Sequence, residues 1–356
     1  MLIDTAIRFE RRGNVGIQGA NSQVFLAYDP QLDATLVVKE IPKASIDVAR
    51  YFAEASKLYA VRHPNVAEVL YCSQTNDEIY LAMPEYDGSV EGVLRTRPLT
   101  VREIVRIGTD FLTGLHHVHT CNLLHFDIKP SNVLLDTSGQ AVLTDFGLAE
   151  LVNPSGLATP DKIYESHIAP EAMTMSPVLS AQADVYQAGL TLYRMCIGTA
   201  LWNAQLRTIT APPNPPTARP AVARGAFPSR HGLPAHVPGN LRKLICKAIE
   251  VDPAARHPTI LDLLNDLARV SENLDWQFTP AASEWTWEWS DASHLRRVIL
   301  RPEASGTFSV AASRTSHVTG KVQNLSAVAA SGLTAAKVGA QVEKAIDALT
   351  PSRRSP

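Results

Sequence analysis

The chain has 356 residues, of which 45% are hydrophobic, and its 33 Lys and Arg residues nearly balance its 35 Asp and Glu residues. This length predicts about two to three domains, and the near-neutral charge argues against nucleic acid or an anionic membrane as the main partner. The four cysteines lie far apart, and no run of about 18 uncharged apolar residues occurs. The sequence therefore predicts a cytoplasmic globular protein of several domains, with no nucleic-acid and no membrane partner.

The first 85 residues predict short strands interrupted by one helix. Residues 47–61 place apolar side chains, among them Phe52 and Tyr59, at helical spacing, which predicts a helix with one buried stripe. His63-Pro64 ends this helix, because the residue before a proline avoids the helical conformation. The strand-forming runs around it cover residues 23–28, 34–41, 66–73 and 78–83.

From about residue 88 onward the hydrophobic pattern has the longer period of helices. Eight of the 24 prolines fall between residues 212 and 238, which predicts an extended loop with polyproline character. Such a loop is either a spacer between two helices or a docking strip for a partner. The predicted helices cover residues 100–120, 182–197, 241–250 and 259–272.

The composition changes again after residue 276. Trp285, Trp287 and Trp289 alternate with polar residues, which in a strand places three indoles on one face. Residues 297–301 and 307–312 predict two further strands, and the Ala-rich stretch 322–349 predicts a long amphipathic helix. We therefore expect a small α+β module, whose tryptophan face packs against the helix or the main body rather than forming a ligand platform. A partner of this module is an open alternative.

The residues that carry chemistry lie between His125 and Asp145. In phosphoryl transfer, a carboxylate such as Asp127 orients an attacking hydroxyl and accepts its proton, and a lysine such as Lys129 can reach the transferring phosphate. The amide oxygen of Asn132 and the carboxylate of Asp145 are hard ligands that suit Mg²⁺ on nucleotide phosphates. The pattern therefore predicts Asp127 and Lys129 as catalytic residues, and Asn132 and Asp145 as metal ligands.

This segment resembles the HRDxKPxN loop and the DFG motif of eukaryotic-type serine/threonine protein kinases. Further motifs of that family follow in the same order along the chain. Leu36-Val37-Val38-Lys39 resembles the VAIK strand, and Glu54 resembles the helix glutamate that pairs with its lysine. Ala169-Pro170-Glu171, Asp184 and Arg256 resemble the APE, DxWxxG and DPxxR motifs, and the resemblance implies a buried ion pair between Glu171 and Arg256.

The resemblance implies an α+β, two-lobed fold with a small β-rich N-lobe that carries one helix, a larger helical C-lobe and the C-terminal α+β module. The corresponding domains are residues 1–85, 86–275 and 276–356. The implied reaction takes ATP with Mg²⁺ and a protein substrate. The implied nucleotide-binding residues are Ile17, Gly19, Ser22, Val24, Val37, Lys39, Glu54, Met83 and Leu134.

Three motifs depart from the family pattern. Only Gly19 remains of the three glycines in the phosphate-binding loop, where Ile17 and Ser22 occupy the other two positions. Phe126 replaces the arginine of HRD, which in the family binds a phosphate on the activation segment, so we predict a non-RD kinase. Tyr164 stands where the family has a threonine beside the catalytic residues.

Three functions fit these residues. The first is an active serine/threonine protein kinase, because all the residues that the family needs for phosphoryl transfer are present. The second is a nucleotide-binding pseudokinase or scaffold, which the altered glycine loop and Tyr164 favour. The third is a small-molecule kinase, which the activation-segment motifs around Glu171 disfavour.

Overall fold

The computed structural model describes residues 7–15, 23–46, 48, 52, 59, 61–160, 167–174, 177–212 and 217–351. Its N-terminal part is an antiparallel sheet of five strands in the order β1-β2-β3-β5-β4. The strand-forming runs predict four of these strands but not β1, whose residues include none of the β-branched or aromatic types that are typical of strands. The strands are β1 (Glu10–Asn14), β2 (Gln23–Asp29), β3 (Ala34–Pro42), β4 (Tyr71–Gln74) and β5 (Glu78–Pro84).

The predicted helix over 47–61 lies mostly outside the described residues. Val48, Phe52 and Tyr59 are helical, and Phe52 is half-buried. Tyr59 is 58% exposed, so its predicted place on a buried stripe is wrong.

The predicted strand over 66–73 is shorter in the structure because its first residues belong to the helical lobe. Val66 makes a single parallel bridge to Leu143. The amide of Ala67 donates to the carbonyl of Leu143 at 2.8 Å, and the amide of Leu143 donates to the carbonyl of Asn65 at 2.9 Å. This backbone pairing joins the N-terminal sheet to the larger lobe, and β4 begins only at Tyr71.

Helices form most of the larger lobe, close to the predicted positions. The longest, α3, is broken at Gly198, whose φ of +72° is the left-handed conformation that glycine adopts without strain. A side chain at this position would also come within 3.2 Å of Pro98. The helices are α1 (Val90–Leu94), α2 (Val101–Thr120), α3 (Ala181–Thr210), α4 (Arg219–Ala223), α5 (Gly239–Ala248) and α6 (Ile260–Ala268).

Short strands frame the segment that carries the predicted catalytic residues. One sheet has three strands, β6 (Gly88–Ser89), β8 (Val133–Leu135) and β9 (Ala141–Leu143), in that order. A second pair joins β7 (Leu123–Leu124) to β10 (Glu150–Leu151).

The proline-rich loop is not uniformly extended. Its described part, residues 217–238, contains the short helix α4. Farther along, the Arg242 guanidinium donates to the carbonyl of Val237 at 2.8 Å and to that of Leu233 at 3.0 Å. The end of the loop is therefore bound to α5 of the same chain.

The C-terminal region is a sheet covered by one helix, as the α+β prediction states, but the long helix over 322–349 is wrong in its first half. The predicted strands over 297–301 and 307–312 are present and longer. Residues 322–333 contain two short strands that both pair with β14. Asn324, Ser331 and Gly332 in this stretch disfavour a helix, and Gly332 has a φ of +64°, outside the right-handed helical region. The elements are β11 (Gln277–Pro280), β12 (Trp285–Ser290), β13 (His294–Pro302), β14 (Phe308–Ser316), β15 (Val322–Asn324), β16 (Ala330–Leu333) and α7 (Ala335–Leu349).

The tryptophan face joins this region to the larger lobe. Trp287 is 1% exposed and stacks on Phe278, with ring centroids 5.0 Å apart. Its indole N–H donates to His236 Nδ1 at 3.1 Å, so His236 is a neutral acceptor here. Burial, with a smaller contribution from the Arg242 charge, lowers the pKa of His236 to about 3. Packing of the tryptophan face against the body of the protein is therefore confirmed.

The ion pair expected between Glu171 and Arg256 is present. Both guanidinium Nη atoms lie 2.7 Å from the Glu171 carboxylate oxygens. Arg256 also donates to the carbonyls of Gln182 at 2.6 Å and Glu250 at 2.8 Å. The pair therefore ties the segment after residue 167 to α3 and to the turn before α6.

Among the described residues, none of the helices combines the length and the apolar character that crossing a membrane requires.

We predict that Trp287→Ala lowers the free energy of unfolding by about 3–5 kcal/mol, because it leaves a cavity in a closed core and an unpaired His236 nitrogen. Trp285, on the same strand and 38% exposed, is the matched control, and its alanine variant should lose less than about 1 kcal/mol. Urea unfolding followed by circular dichroism measures both changes. Equal losses of unfolding free energy in the two variants would show that the buried contacts of Trp287 contribute no more than those of the exposed Trp285.

We predict that Arg256→Met costs about 3 kcal/mol of unfolding free energy, since it removes one partner of a buried ion pair. Arg269→Met is the control, because the Arg269 side chain is 77% exposed in its pair with Asp266 and surface pairs contribute about 0–1 kcal/mol. Thermal and urea unfolding of both variants check this. A loss no larger than that of the control would contradict the anchoring role.

Candidate active site

The loop that carries Asp127 is held by a buried carboxylate at the start of α3. Asp184 Oδ2 accepts the amide of His125 at 2.8 Å, and Oδ1 accepts the amide of Phe126 at 2.8 Å. Phe126 has a φ of +59°, a left-handed conformation that costs a bulky residue about 1–3 kcal/mol. The two bonds to Asp184 stabilise this turn, and Phe126 itself is buried.

His119 supports the same carboxylate, because its Nε2 lies 2.7 Å from Asp184 Oδ2. Burial by itself would raise the pKa of Asp184, but the hydrogen bond from His119 and the neighbouring amide of His125 outweigh it, so the pKa is lowered. Asp184 therefore stays ionised at neutral pH, as the two amide donors require.

Gln187, three residues further along α3, holds the other end of the turn. Its amide nitrogen donates to the carbonyl of Phe126 at 2.9 Å, and its amide oxygen accepts the N–H of Ile128 at 2.9 Å. Asp184 and Gln187 lie on one face of the helix, so a single rigid element fixes the backbone on both sides of Asp127.

The Asp127 carboxylate binds two other predicted site residues, Lys129 and Asn132. Lys129 Nζ lies 2.8 Å from Oδ1 and 2.7 Å from Oδ2. Asn132 Nδ2 donates to Oδ2 at 2.9 Å and to the Asp127 carbonyl at 2.8 Å. Asp127 is 4% exposed, so its carboxylate is held in one orientation by charge-assisted hydrogen bonds.

Asp145 and Lys39 bring the two lobes together. Lys39 Nζ, on β3, lies 2.9 Å from Asp145 Oδ1. The Lys39 charge is the main reason that the pKa of Asp145 is lowered, against the opposing effect of burial. The next residue, Phe146, packs on the His125 ring with centroids 4.6 Å apart, and both side chains are buried.

The predicted nucleotide-binding residues of the sheet share one face. Val24 is opposite Lys39 and Val37 is opposite Met83 in the strand register, and residues that are directly opposite point to the same side. Val24, Val37, Lys39 and Met83 are half-buried, whereas Phe25 and Val38 on the other face are fully buried. Such a half-buried face is what a nucleotide site between two lobes needs.

Leu134 lies in the larger lobe, on β8, opposite Ser89. It follows Asn132 by two residues and is half-buried. Ile17, Gly19, Ser22 and Glu54 lie outside the described residues, as does Tyr164. The expected pair of Lys39 with Glu54 therefore stays a prediction.

The predicted metal ligands fit Mg²⁺ by their donor chemistry. Asp145 offers a carboxylate whose pKa is lowered. Asn132 commits Nδ2 to Asp127. Its amide oxygen accepts the Ser131 hydroxyl at 3.3 Å and keeps a second lone pair that can bind a cation. By contrast, no group of three or more His, Cys, Asp or Glu side chains in the described part of the chain could hold a metal ion, so the histidines of α2 form no zinc site there.

Sequence reasoning missed the supporting residues. His119 acts on the catalytic loop through Asp184, whereas Gln187 bonds the loop backbone directly. These contacts join residues about 60 positions apart, such as His119 with Asp184 at a separation of 65. The available signal was their position beside recognised motifs. His119 precedes the loop on α2, and Gln187 follows Asp184 by one helical turn.

Comparison with known proteins agrees with this geometry. A probable serine/threonine-protein kinase of Clostridium perfringens is 26% identical over 274 residues, which cover 75% of this chain and 38% of that protein. The serine/threonine-protein kinase PrkC of Bacillus subtilis is 24% identical over 257 residues, covering 70% of this chain and 38% of PrkC. The chain thus spans well under half the length of these two curated relatives.

The family model described as the protein kinase domain matches residues 9–267, which is most of the chain. The matched range contains Lys39, Asp127, Asn132 and Asp145, as well as the ion pair of Glu171 with Arg256. The α+β, two-lobed fold expected from the sequence is thereby confirmed, and this chain belongs to the protein kinase domain family.

Proposed function

We propose that the protein is an ATP-dependent serine/threonine protein kinase that transfers the γ-phosphate of ATP to a hydroxyl of a protein substrate. The observation that carries the proposal is the cluster of Asp127, Lys129 and Asn132 beside the interlobe pair of Lys39 with Asp145. Relatives of this chain are named serine/threonine-protein kinases, which supports the same class of substrate.

In this mechanism the Asp127 carboxylate binds the substrate hydroxyl that accepts the phosphate. Lys129 and Asn132 fix its carboxylate, so the proton of the hydroxyl has a defined acceptor as the oxygen attacks the phosphorus. Lys129 also supplies a positive charge close to the phosphate that is transferred. Because the reacting groups are preorganised, little reorientation remains for the moment of reaction.

Lys39 would contact the nucleotide phosphates, and it would exchange its present bond to Asp145 for them. Asn132 and Asp145 would hold Mg²⁺, which when bound supplies charge neutralisation on the phosphates. Val24, Val37 and Met83 on the sheet, with Leu134 from below, would bind the base of ATP. The proposed nucleotide site also includes Ile17, Gly19, Ser22 and Glu54, which are assigned from the sequence alone.

We assign residues 1–85 to the N-lobe, 86–275 to the C-lobe and 276–356 to the appended module. The non-RD character rests on Phe126, which is 4% exposed and has no cationic group to offer a phosphate. The cytoplasmic location and a partner of the loop 212–238 or of the module remain predictions of the sequence.

A nucleotide-binding pseudokinase is the second candidate, since Ile17 and Ser22 replace two glycines of the phosphate-binding loop. The following prediction separates it from an active enzyme.

We predict that Asp127→Asn and Asp145→Asn both abolish phosphoryl transfer, by different routes. Without the Asp127 carboxylate, turnover should fall by about 10²–10⁴-fold, the usual contribution of a general base, while nucleotide affinity survives. Loss of Asp145 should chiefly weaken Mg²⁺-dependent ATP binding. Transfer of labelled phosphate, together with ATP titration calorimetry, measures both effects.

The control is the wild-type chain assayed with and without Mg²⁺. Transfer by Asp127→Asn at the wild-type rate would refute the catalytic role of Asp127. Nucleotide binding by the wild type without any transfer would identify the pseudokinase instead.

We predict that Thr159→Ala changes activity less than about threefold, or about 0.65 kcal/mol in barrier height. Thr159 is exposed, and its neighbour Ala158 already exchanges two 2.8 Å backbone bonds with Leu179, so no phosphate is needed to order this position. Initial rates of protein before and after phosphatase treatment check this. Loss of nearly all activity on dephosphorylation, restored by Thr159→Glu, would contradict it.

A further inference from the structure

The segment between α1 and α2 joins three parts of the molecule. Leu99 donates its amide to the carbonyl of Met195 on α3 at 2.9 Å, and Pro98 packs against the break in α3 at Gly198. Arg97 binds both carboxylate oxygens of Glu103 in the first turn of α2, at 2.7 and 2.8 Å. Any element that holds this segment therefore also holds the ends of α1 and α2. Residues 95–100 are called the joint below.

One residue of the C-terminal module contacts the joint with both ends of its side-chain amide. Gln277, on β11, accepts a hydrogen bond from Arg97 Nη1 at 3.1 Å and donates to the carbonyl of Pro98 at 3.2 Å. Its amide nitrogen also donates to the carbonyl of Phe278 at 2.9 Å. Because a donor and an acceptor are both used, the amide can bind the joint in only one orientation.

The module that carries Gln277 is itself fixed to the larger lobe. Phe278 stacks on the buried Trp287, whose indole donates to His236. On the other side of Gln277, Asp275 pairs with both Nε and Nη2 of Arg102 at 2.6 and 2.9 Å. Gln277 therefore contacts the joint from a rigid strand.

The other end of the joint leads to the cleft. Glu91 on α1 binds the buried Arg194 of α3 at 2.6 Å and accepts the hydroxyl of Thr199 at 3.0 Å. Ser89 caps α1 and pairs with Leu134 across β6 and β8. Leu134 follows the proposed metal ligand Asn132 by two residues. A displacement of α1 would therefore move β8 at the base of the proposed nucleotide site.

We propose that Gln277 is a positioning residue for the kinase reaction, which fixes the joint and thereby the strand pair β6–β8 that borders the nucleotide. The docked C-terminal module then sets the affinity for ATP without touching it. This inference rests on the nucleotide site assigned under the proposed function. It gives the module a role that the kinase motifs do not supply.

The test is Gln277→Leu in the full chain, with Gln323→Leu as the matched control. Gln323 lies at the opposite edge of the same sheet, on β15, where it binds only the exposed Arg314 among the contacts described, at 2.7 Å. We expect Gln277→Leu to raise the KM for ATP about 3- to 10-fold, which lies within the usual range of such coupling, with kcat within about twofold. Gln323→Leu should change neither value.

A conservative variant separates positioning from stability. Gln277→Glu keeps the acceptor for Arg97 and loses the donor to Pro98, so its KM for ATP should lie between those of wild type and Gln277→Leu. In an Arg97→Ala background, Gln277→Leu should add less than its full effect, because part of the contact is already gone. Hydrogen exchange at residues 88–94 and 133–135 should quicken in Gln277→Leu only.

The dissociation constant of a fluorescent ATP analogue with Mg²⁺ is measured in parallel, because it does not need phosphate transfer. If the wild type binds the analogue but transfers no phosphate, the kinase proposal fails while the role of Gln277 is still tested by binding. If Gln277→Leu matches Gln323→Leu in KM, in analogue affinity and in exchange at residues 88–94, the positioning role is overturned, whatever its melting temperature.

Discussion

The arrangement of the catalytic loop depends on the buried carboxylate of Asp184. It accepts two consecutive backbone amides, at His125 and Phe126, and so stabilises a left-handed turn that an aromatic residue disfavours. A buried carboxylate without donors would be expensive, and here the two amides and His119 satisfy it. The hydrogen bonds that place Asp127 in the cleft therefore also offset the free-energy cost of burying the Asp184 charge.

The chemistry then follows from how each charged group is partnered. Asp127 is bound by groups on its own loop, whereas Asp145 is bound by Lys39 from the other lobe. The first arrangement keeps the carboxylate that we propose as the proton acceptor in one orientation. The second is an ion pair between the two lobes, and Lys39 and Asp145 stay partly exposed, at 24% and 41% of their side chains, which is why we propose that nucleotide phosphates replace it.

The C-terminal module packs against the end of the proline-rich loop. His236 lies in that loop, is fully buried, and accepts the indole N–H of Trp287. Arg242 holds the carbonyls before and after it. A loop whose prolines cannot donate backbone hydrogen bonds offers free carbonyls to such a side chain, so the same composition that suggests a docking strip here serves an internal contact.

The sequence by itself determined two kinds of feature. The first is the helices and strands that form through local interactions, and the second is the predicted site, whose residues follow one another in a fixed order. Periodicity predicts α2 because its buried side chains recur every three or four residues, and the Thr100–Glu103 capping box fixes its start. The order of Lys39, Asp127, Asn132 and Asp145 predicts the site, since phosphoryl transfer needs those groups together. Four strands of the N-terminal sheet likewise follow from runs of strand-forming residues, whereas β1 depends on its pairing with β2.

Only the tertiary structure decided the rest. Residues 322–333 include Asn324 and Gly332, which weaken a helix, and pairing with β14 made two parts of this stretch strands rather than the first half of a helix. Val66 does not belong to β4 as predicted, because it pairs with Leu143 of the other lobe. The contacts of His119, Gln187 and Gln277 join residues that are far apart in sequence. No local pattern records them, because their free energy exists only once both partners are brought together by the fold.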